Sequence, residues 1–379
     1  MQVNQFSPVP TLRKAGVARL LSRRVHPLDP FHRGGIMRLI VPLAAAALLL
    51  AGCQDTAGPV AESGPSPATA GLQATQTSRT GVPVIVLGPG EAHDVNARGQ
   101  VVGWSYNAAG DRIAVLWQDG EMIDLGAPPD LWALAINDRG EIVIGVWHPY
   151  SGPSDVYYWY RGELTMIVPD ATVRDINARG QVLGFLRRDA ATDLAFVWED
   201  GELTFLDPLP GNTASRAEAM NQKGEVVGFS AWGDSGVYAQ FWESDGDTYL
   251  LPAPEGYAGR AMAINNRGLA AGRVELSGRV DQQAVLWQDG QLLELDDAGG
   301  FGSGVHDMNS GGMMAGYYTP PDGEERPALW LGNDHHLVDL GLPQGDEYAG
   351  PARAFAVNER GVVVGSGGGA TVWAYLWKP

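Results

Sequence analysis

The chain has 379 residues, 45% of them hydrophobic and 18% charged, which is enough apolar material for a large folded body and too much for a disordered polymer. Its net charge of −18, without a basic stripe, excludes nucleic acid as a partner, and its single cysteine excludes a disulfide framework. Glycine numbers 51, roughly twice the usual share of about 7%; with Val, Tyr, Trp and Leu interleaved and no long helical period, this points to an all-β protein rich in turns.

Residues 1–36 carry six basic side chains ahead of Met37 and read as a non-native upstream leader. From Met37 the chain enters an apolar run, Leu39 to Gly52, that ends at Cys53. This run is shorter than the roughly 20 residues needed to span a bilayer and suits the central region of a signal peptide. Leu50-Ala51-Gly52-Cys53 resembles the bacterial lipobox. The resemblance implies that residues 37–52 are removed as a signal peptide and that Cys53 is lipidated. Gln54 stands where an aspartate would imply retention in the inner membrane, so the same likeness implies an outer-membrane lipoprotein, facing the periplasm or the cell surface. Residues 54–80 contain no aromatic side chain and are rich in Pro, Ser, Thr, Ala and Gly, so residues 53–80 are expected to be the lipidated cysteine and a disordered tether. Without residues 1–52 the chain keeps 19 basic and 43 acidic groups, a net charge near −24, and no nucleic acid or bare anionic lipid surface is expected to bind it.

From residue 81 onward one unit is written seven times. Each copy holds an apolar residue followed by Asn, two variable residues and Gly, with the asparagines at 96, 137, 177, 221, 265, 309 and 358. A second glycine follows at an offset of seven (Gly103, Gly184, Gly228, Gly272, Gly316, Gly365), except in the second copy, where Gly145 stands at eight and predicts a β-bulge. A tryptophan closes each pattern: Trp117, Trp159, Trp198, Trp242, Trp287, Trp330 and Trp377. In copy one the expected strands are residues 92–95, 100–105, 113–118 and 121–125. The N-x-x-G and W-x-D-G stretches read as tight hairpin turns, since Asn can accept from the backbone two residues on and Gly takes the left-handed position. The strand-two glycine is expected to let a neighbouring sheet approach.

Four strands in some 40 to 45 residues match a β-propeller blade, and seven copies predict a seven-bladed propeller of four-stranded blades. The last copy stops at Trp377-Lys378-Pro379 without a fourth strand, and residues 82–87 resemble one, so this N-terminal strand is expected to complete the last blade. The alternative is an open β-repeat solenoid. The consensus A-x-x-I-N-x-x-G-x-V-V-G followed by A-x-x-W-x-x-G is similar to the extracellular HAF repeat of bacterial exported proteins over residues 82–379, although the namesake histidine is absent and only Ala195-Phe196 keeps the other two letters. What the resemblance implies is an exported β-repeat protein without an assigned activity.

Residues present in every copy are explained by the blade, so function is sought where the symmetry breaks. Both tight turns emerge on one face, which leaves the variable connections on the other, and binding is expected there. That face carries the non-repeat aromatic and histidine candidates Trp147, His148, Tyr150, Trp232, Tyr257, Tyr317, Tyr318 and Tyr348, suited to sugar rings or a protein partner. A second irregularity lies on the innermost strands. Two residues before the repeat asparagine, four copies carry Ala and three carry Asp94, Asp175 and Asp307, preceded by His93, Arg174 and His306, with Glu218 at the same earlier position in copy four. Converging in the channel, these could perform acid/base work as a glycan hydrolase or lyase. His335-His336 lacks partners at zinc-ligand spacing and Asp245-Gly246-Asp247 lacks the spaced acids of a calcium loop, so no metal site or cofactor is expected; a cation, if held, would be structural or ligand-linked. The leading expectation is a monomeric, lipid-anchored binding or scaffolding module for a glycan or an envelope or extracellular protein, rather than an enzyme. An outer-membrane assembly factor is a further alternative.

Overall fold

A computed structural model describes residues 75–146, 154–187, 192–231, 236–276, 282–331 and 334–379. Copy one folds as expected: residues 90–95 of the strand Pro83–Val95 are followed by Val101–Tyr106, Arg112–Gln118 and Glu121–Asp124, each antiparallel to the last. The same four-stranded meander recurs six times, and we number the blades in chain order. Their innermost strands are Trp132–Ile136, the second half of Glu163–Ile176, Ala214–Met220, Tyr257–Ile264, Gly302–Met308 and Ala352–Val357.

The terminal strand closes the seventh blade. Val84 pairs with Trp377 and Val86 with Tyr375; after a register shift the same strand pairs Gly90 with Ser105 and opens blade 1. Each innermost strand packs beside the next, and that of blade 7 returns to that of blade 1. The apolar core follows the same circuit, one cluster between each pair of consecutive blades. One of them joins Leu87, Val95 and Trp117 to Ala356, Val364 and Leu376 across the junction of blades 7 and 1. The ring is therefore a seven-bladed propeller and not an open solenoid. Cys53 lies outside the described residues. The folded body begins before residue 81: Gln76 and Thr77 pair with Val84 and Pro83, and Ser78 is buried, its hydroxyl accepting from the Val82 N–H at 3.0 Å.

The repeat residues act locally as the sequence suggests and also join the blades. In blade 1, Asn96 Oδ1 accepts from the backbone N–H of Arg98 at 3.0 Å and of Gln100 at 3.1 Å, while Gly99 takes φ 83°. The opposite hairpin puts Asp119 at φ 53° and Gly120 at φ 88°, the paired positive dihedrals of a type I′ turn. Six of the seven asparagines also reach forward to the next copy's asparagine carbonyl, as Asn96 Nδ2 does to Asn137 at 3.1 Å, Asn137 to Asn177 at 2.9 Å and Asn221 to Asn265 at 3.0 Å, while Asn265 Nδ2 is set against Met308 Sδ at 3.7 Å. Four of the tryptophans, Trp242, Trp287, Trp330 and Trp377, reach backward. Indole Nε1 of Trp242, Trp287 and Trp330 each donates at 2.7 Å to a carbonyl in the connection leaving the preceding blade, respectively Asp207, Pro252 and Asp296.

Two expectations are corrected. A β-bulge occurs in the innermost strand of every blade, skipping His93, Leu134, Arg174, Glu218, Met262, His306 and Phe355 in turn, and not as an extra residue in the second strand of blade 2. In blade 2, Ile144 simply stands where the others have glycine. The strand-two glycine answers to that bulge rather than to a neighbouring sheet. A Cβ on Gly103, Gly228 or Gly365 would collide with the carbonyl of Glu91, Arg216 or Arg353 on the adjacent strand of the same blade.

Candidate functional site

The bulges bring the symmetry-breaking residues to the channel wall. His93 is buried, 3.1 Å from Glu91 through Nε2, with its ring edge-on to Trp132 of blade 2. Arg174 Nε lies 3.1 Å from Glu218 Oε2 of the next blade. His306 stacks on Phe355 of blade 7 and its Nδ1 meets the Ala354 carbonyl at 2.9 Å. Burial pushes His306 down to about 3, so the ring is neutral at any ordinary pH.

The three channel aspartates share one geometry. One oxygen accepts from the following N–H and the other from the innermost strand of the next blade. Asp94 takes Val95 and Ile136, both at 2.7 Å; Asp175 takes Ile176 at 2.7 Å and Met220 at 2.8 Å; Asp307 takes Met308 at 2.7 Å and Val357 at 2.8 Å. Desolvation raises all three, Asp94 to about 8 and Asp175 and Asp307 to about 6, with the N–H bonds pulling the other way. The charges of Asp307 and Asp175 add to the rise at Asp94. Each carboxylate is thus an inter-blade fastening with both oxygens engaged, a poor starting point for a general acid or nucleophile. Nor do they form a ready cation site. Among the described residues, the three acids or histidines whose ligand atoms lie within 4.8 Å of one another are Glu243, Asp245 and Asp247, all exposed on a strand three-to-four hairpin.

The proposed aromatic surface divides. Trp147, His148, Tyr150 and Trp232 lie outside the described residues. Tyr257 stands at the start of its strand and is 37% exposed. Tyr317, Tyr318 and Tyr348 are buried and correct the expectation of exposed ligand-facing rings. Tyr318 donates to Asp339 at 2.9 Å, and Tyr348 packs against Trp373 and Tyr375. Their places are taken by rings that the loop reading missed. Tyr106, Tyr238 and Phe301 are exposed, 62% in the case of Phe301, and the meander puts all three with Tyr257 on the variable face.

Beneath these rings the channel mouth is lined by arginines and aromatics in register. Eight residues past the repeat asparagine stand Trp104, Phe185, Phe229, Arg273 and Tyr317; five before it stand Arg216, Arg260 and Arg353. The signal was in the sequence, as the residue after each strand-two glycine. Between blades 3 and 5 a cavity of about 220 Å³ opens among Asp193, Ser215, Arg216, Phe229, Val237 and Arg260. Asp193 fixes Arg216 at 2.6 Å and Arg187 at 3.2 Å, so the cavity brings an ion pair together with Arg260 over the Phe229 ring.

No protein-family model matches the chain, and no curated protein does. Solved structures match through their fold. The β-propeller domain of the Trilobed protease from Pyrococcus furiosus is 11% identical with a TM-score of 0.51, the match covering 82% of this chain and 94% of that one. That propeller is described as having an open velcro topology, whereas here Pro83–Val95 completes the last blade. The acylaminoacyl peptidase of Pyrococcus horikoshii is 12% identical with a TM-score of 0.51, over 77% of this chain and 51% of that one, so the chain spans about half of that peptidase. TolB from Acinetobacter baumannii is 11% identical at a TM-score of 0.43, over 73% of this chain and 79% of that one. At these identities the likeness establishes one thing, that the fold is a β-propeller.

Proposed function

We propose that the protein is an exported propeller, tethered to the outer membrane through lipidated Cys53, that binds a glycan or a protein partner on its variable face. The observation that carries the binding reading is that exposed Tyr106, Tyr238, Tyr257 and Phe301, borne by blades 1, 4, 5 and 6, all stand on the variable face, together with the arginine-lined cavity of blades 3 to 5. Flat rings with low conformational freedom beside fixed polar groups suit sugar faces or the core of a protein interface. The remaining exposed large apolar side chains, such as Met166 and Leu250, sit on the outermost strands. The address rests on the lipobox-like Leu50-Ala51-Gly52-Cys53 and on the resemblance to HAF repeats.

Binding of the purified protein to a broad glycan array, with and without calcium, tests the reading. Retention on one glycan class that is lost in the double variant Tyr238→Ala/Tyr257→Ala supports a sugar-binding face. A blank array together with envelope cross-links that survive the same double variant would sink the proposal for this face.

A further inference from the structure

Where an aromatic ring and the next blade's arginine meet at the channel mouth, the cation is fully accounted for. Arg216 lies 5.1 Å from the Phe185 centroid, Arg260 4.5 Å from Phe229 and Arg353 4.3 Å from Tyr317. Each also holds an acid: Arg216 with Asp193, Arg260 with Glu275 at 3.6 Å, and Arg353 with Glu325 through bonds of 2.6 and 2.8 Å. Blade 5 inverts the pattern. Its residue at the ring's register is Arg273, and blade 6 offers Gly304 where others offer arginine.

Among the described residues Arg273 therefore has neither ring nor acid. Its Nε is shut off from solvent with no hydrogen-bond partner. Its cross-strand partner is Arg260, a like charge directly opposite, which is unfavourable in a sheet and helps depress Arg260 below the ordinary arginine range after desolvation. Since Glu275 answers Arg260 and Glu325 answers Arg353, one positive charge is left over. His306 and Tyr317 lie ring to ring at 5.3 Å with Arg353 over Tyr317 at 4.3 Å, the strand of Arg273 packs beside that of His306, and the charges of Arg273 and Arg353 bear on both groups. A carbonyl only accepts, so His306 Nδ1 carries the proton toward Ala354 and Nε2 of the neutral ring remains an acceptor.

We propose that Arg273 anchors the single carboxylate of a sugar acid at the channel mouth. This rests on the variable face being the binding face. The planar guanidinium fork matches a carboxylate in two parallel hydrogen bonds, His306 Nε2 can accept from a neighbouring sugar hydroxyl, and the exposed rings above supply stacking surface. The surrounding body, near −24 without the signal segment, repels a polyanion, so the ligand is an otherwise neutral sugar with one acidic group.

The test is calorimetric titration of the purified protein with glucuronate, methyl glucoside and inorganic sulfate, using wild type, Arg273→Gln and Arg273→Lys. Wild type should bind glucuronate about tenfold or more tightly than methyl glucoside, Arg273→Gln should abolish that preference, and Arg273→Lys should restore part of it. Without ligand, Arg273→Gln should melt no lower than wild type, because a purely structural arginine would cost stability when removed. Equal glucuronate affinity in wild type and Arg273→Gln overturns the proposal, as does binding of sulfate alone. Loss of ligand in Tyr238→Ala/Tyr257→Ala with unchanged behaviour in Arg273→Gln removes this site and leaves the binding face standing. No effect of either variant on a bound ligand removes both.

Discussion

Asn358 Nδ2 donates to the carbonyl of Asn96 at 2.9 Å, so the last copy of the turn is bonded to the first. Both side chains are buried. Asn358→Ala removes this bond and the two that Oδ1 accepts from Arg360 and Val362, leaving buried backbone groups unanswered. We expect a loss of about 2–4 kcal/mol in urea unfolding. Exposed Asn266→Ala, by contrast, should change stability by less than about 0.5 kcal/mol. Equal effects at the two sites would mean that the asparagine circuit does not hold the ring.

The tryptophans separate a ring's burial from its hydrogen bond. Trp330 is fully buried and its Nε1 donates to Asp296, whereas the buried Nε1 of Trp117 has no partner. Trp330→Phe should cost about 1–2 kcal/mol more than Trp117→Phe, read from paired denaturation curves. Alanine at either position should cost about 3–5 kcal/mol through the cavity it leaves.

Asp94 sets a pH dependence with a definite sign. Its carboxyl is raised by burial from an ordinary value near 3.8 to about 8. A raised acid favours the fold most when protonated, so its contribution is full below about pH 4 and declines as pH climbs through about 8. Asp175 and Asp307 behave alike up to about pH 6. The melting temperature of wild type should therefore fall between pH 4 and 8 more steeply than that of Asp94→Asn. Parallel profiles for the two proteins would show that the channel acids ionise freely in the folded state.

Second-strand glycines opposite the bulge and one residue beyond it should differ in tolerance. Gly228→Ala drives a Cβ into the Arg216 carbonyl and should destabilise severely, by about 3 kcal/mol or more. Gly145→Ala meets a movable Val173 methyl at 3.2 Å and should cost about 1 kcal/mol. Thermal melts of the two variants would decide whether the bulge carbonyl is the reason for the glycine.

The periodic part of this fold was readable because the repeat fixes it: Asn96, Gly99, Gly103 and Trp117 recur at set spacing, and each does a job the blade needs. The terminal closure was readable from residues 82–87 for the same reason. What the spacing could not show is that a bulge sits at His93 and its counterparts, since an extra residue in a paired strand looks like any other residue in one dimension. The site was less legible. Tyr317, Tyr318 and Tyr348 looked like loop aromatics, yet the first two are neighbours in one strand and point to its opposite faces, both covered by adjoining structure, while Tyr348 sits in a short 3-10 turn packed on Trp373 and Tyr375. Arg273 was hidden by being ordinary in sequence; its meaning lies in the absence of a partner that the other blades provide.

The strand Pro83–Val95 has one further consequence, for the order in which the molecule can assemble. Val84 is synthesised 293 positions before Trp377 (377 − 84), yet they are neighbours in one sheet. Blades 1 to 6 can form from contacts made within each copy, while blade 7 must wait for residues 84–89 to meet Trp373–Trp377. Until they do, the strand exposes an unpaired edge, so a chain halted before Trp373 would be a row of finished blades with an open seam.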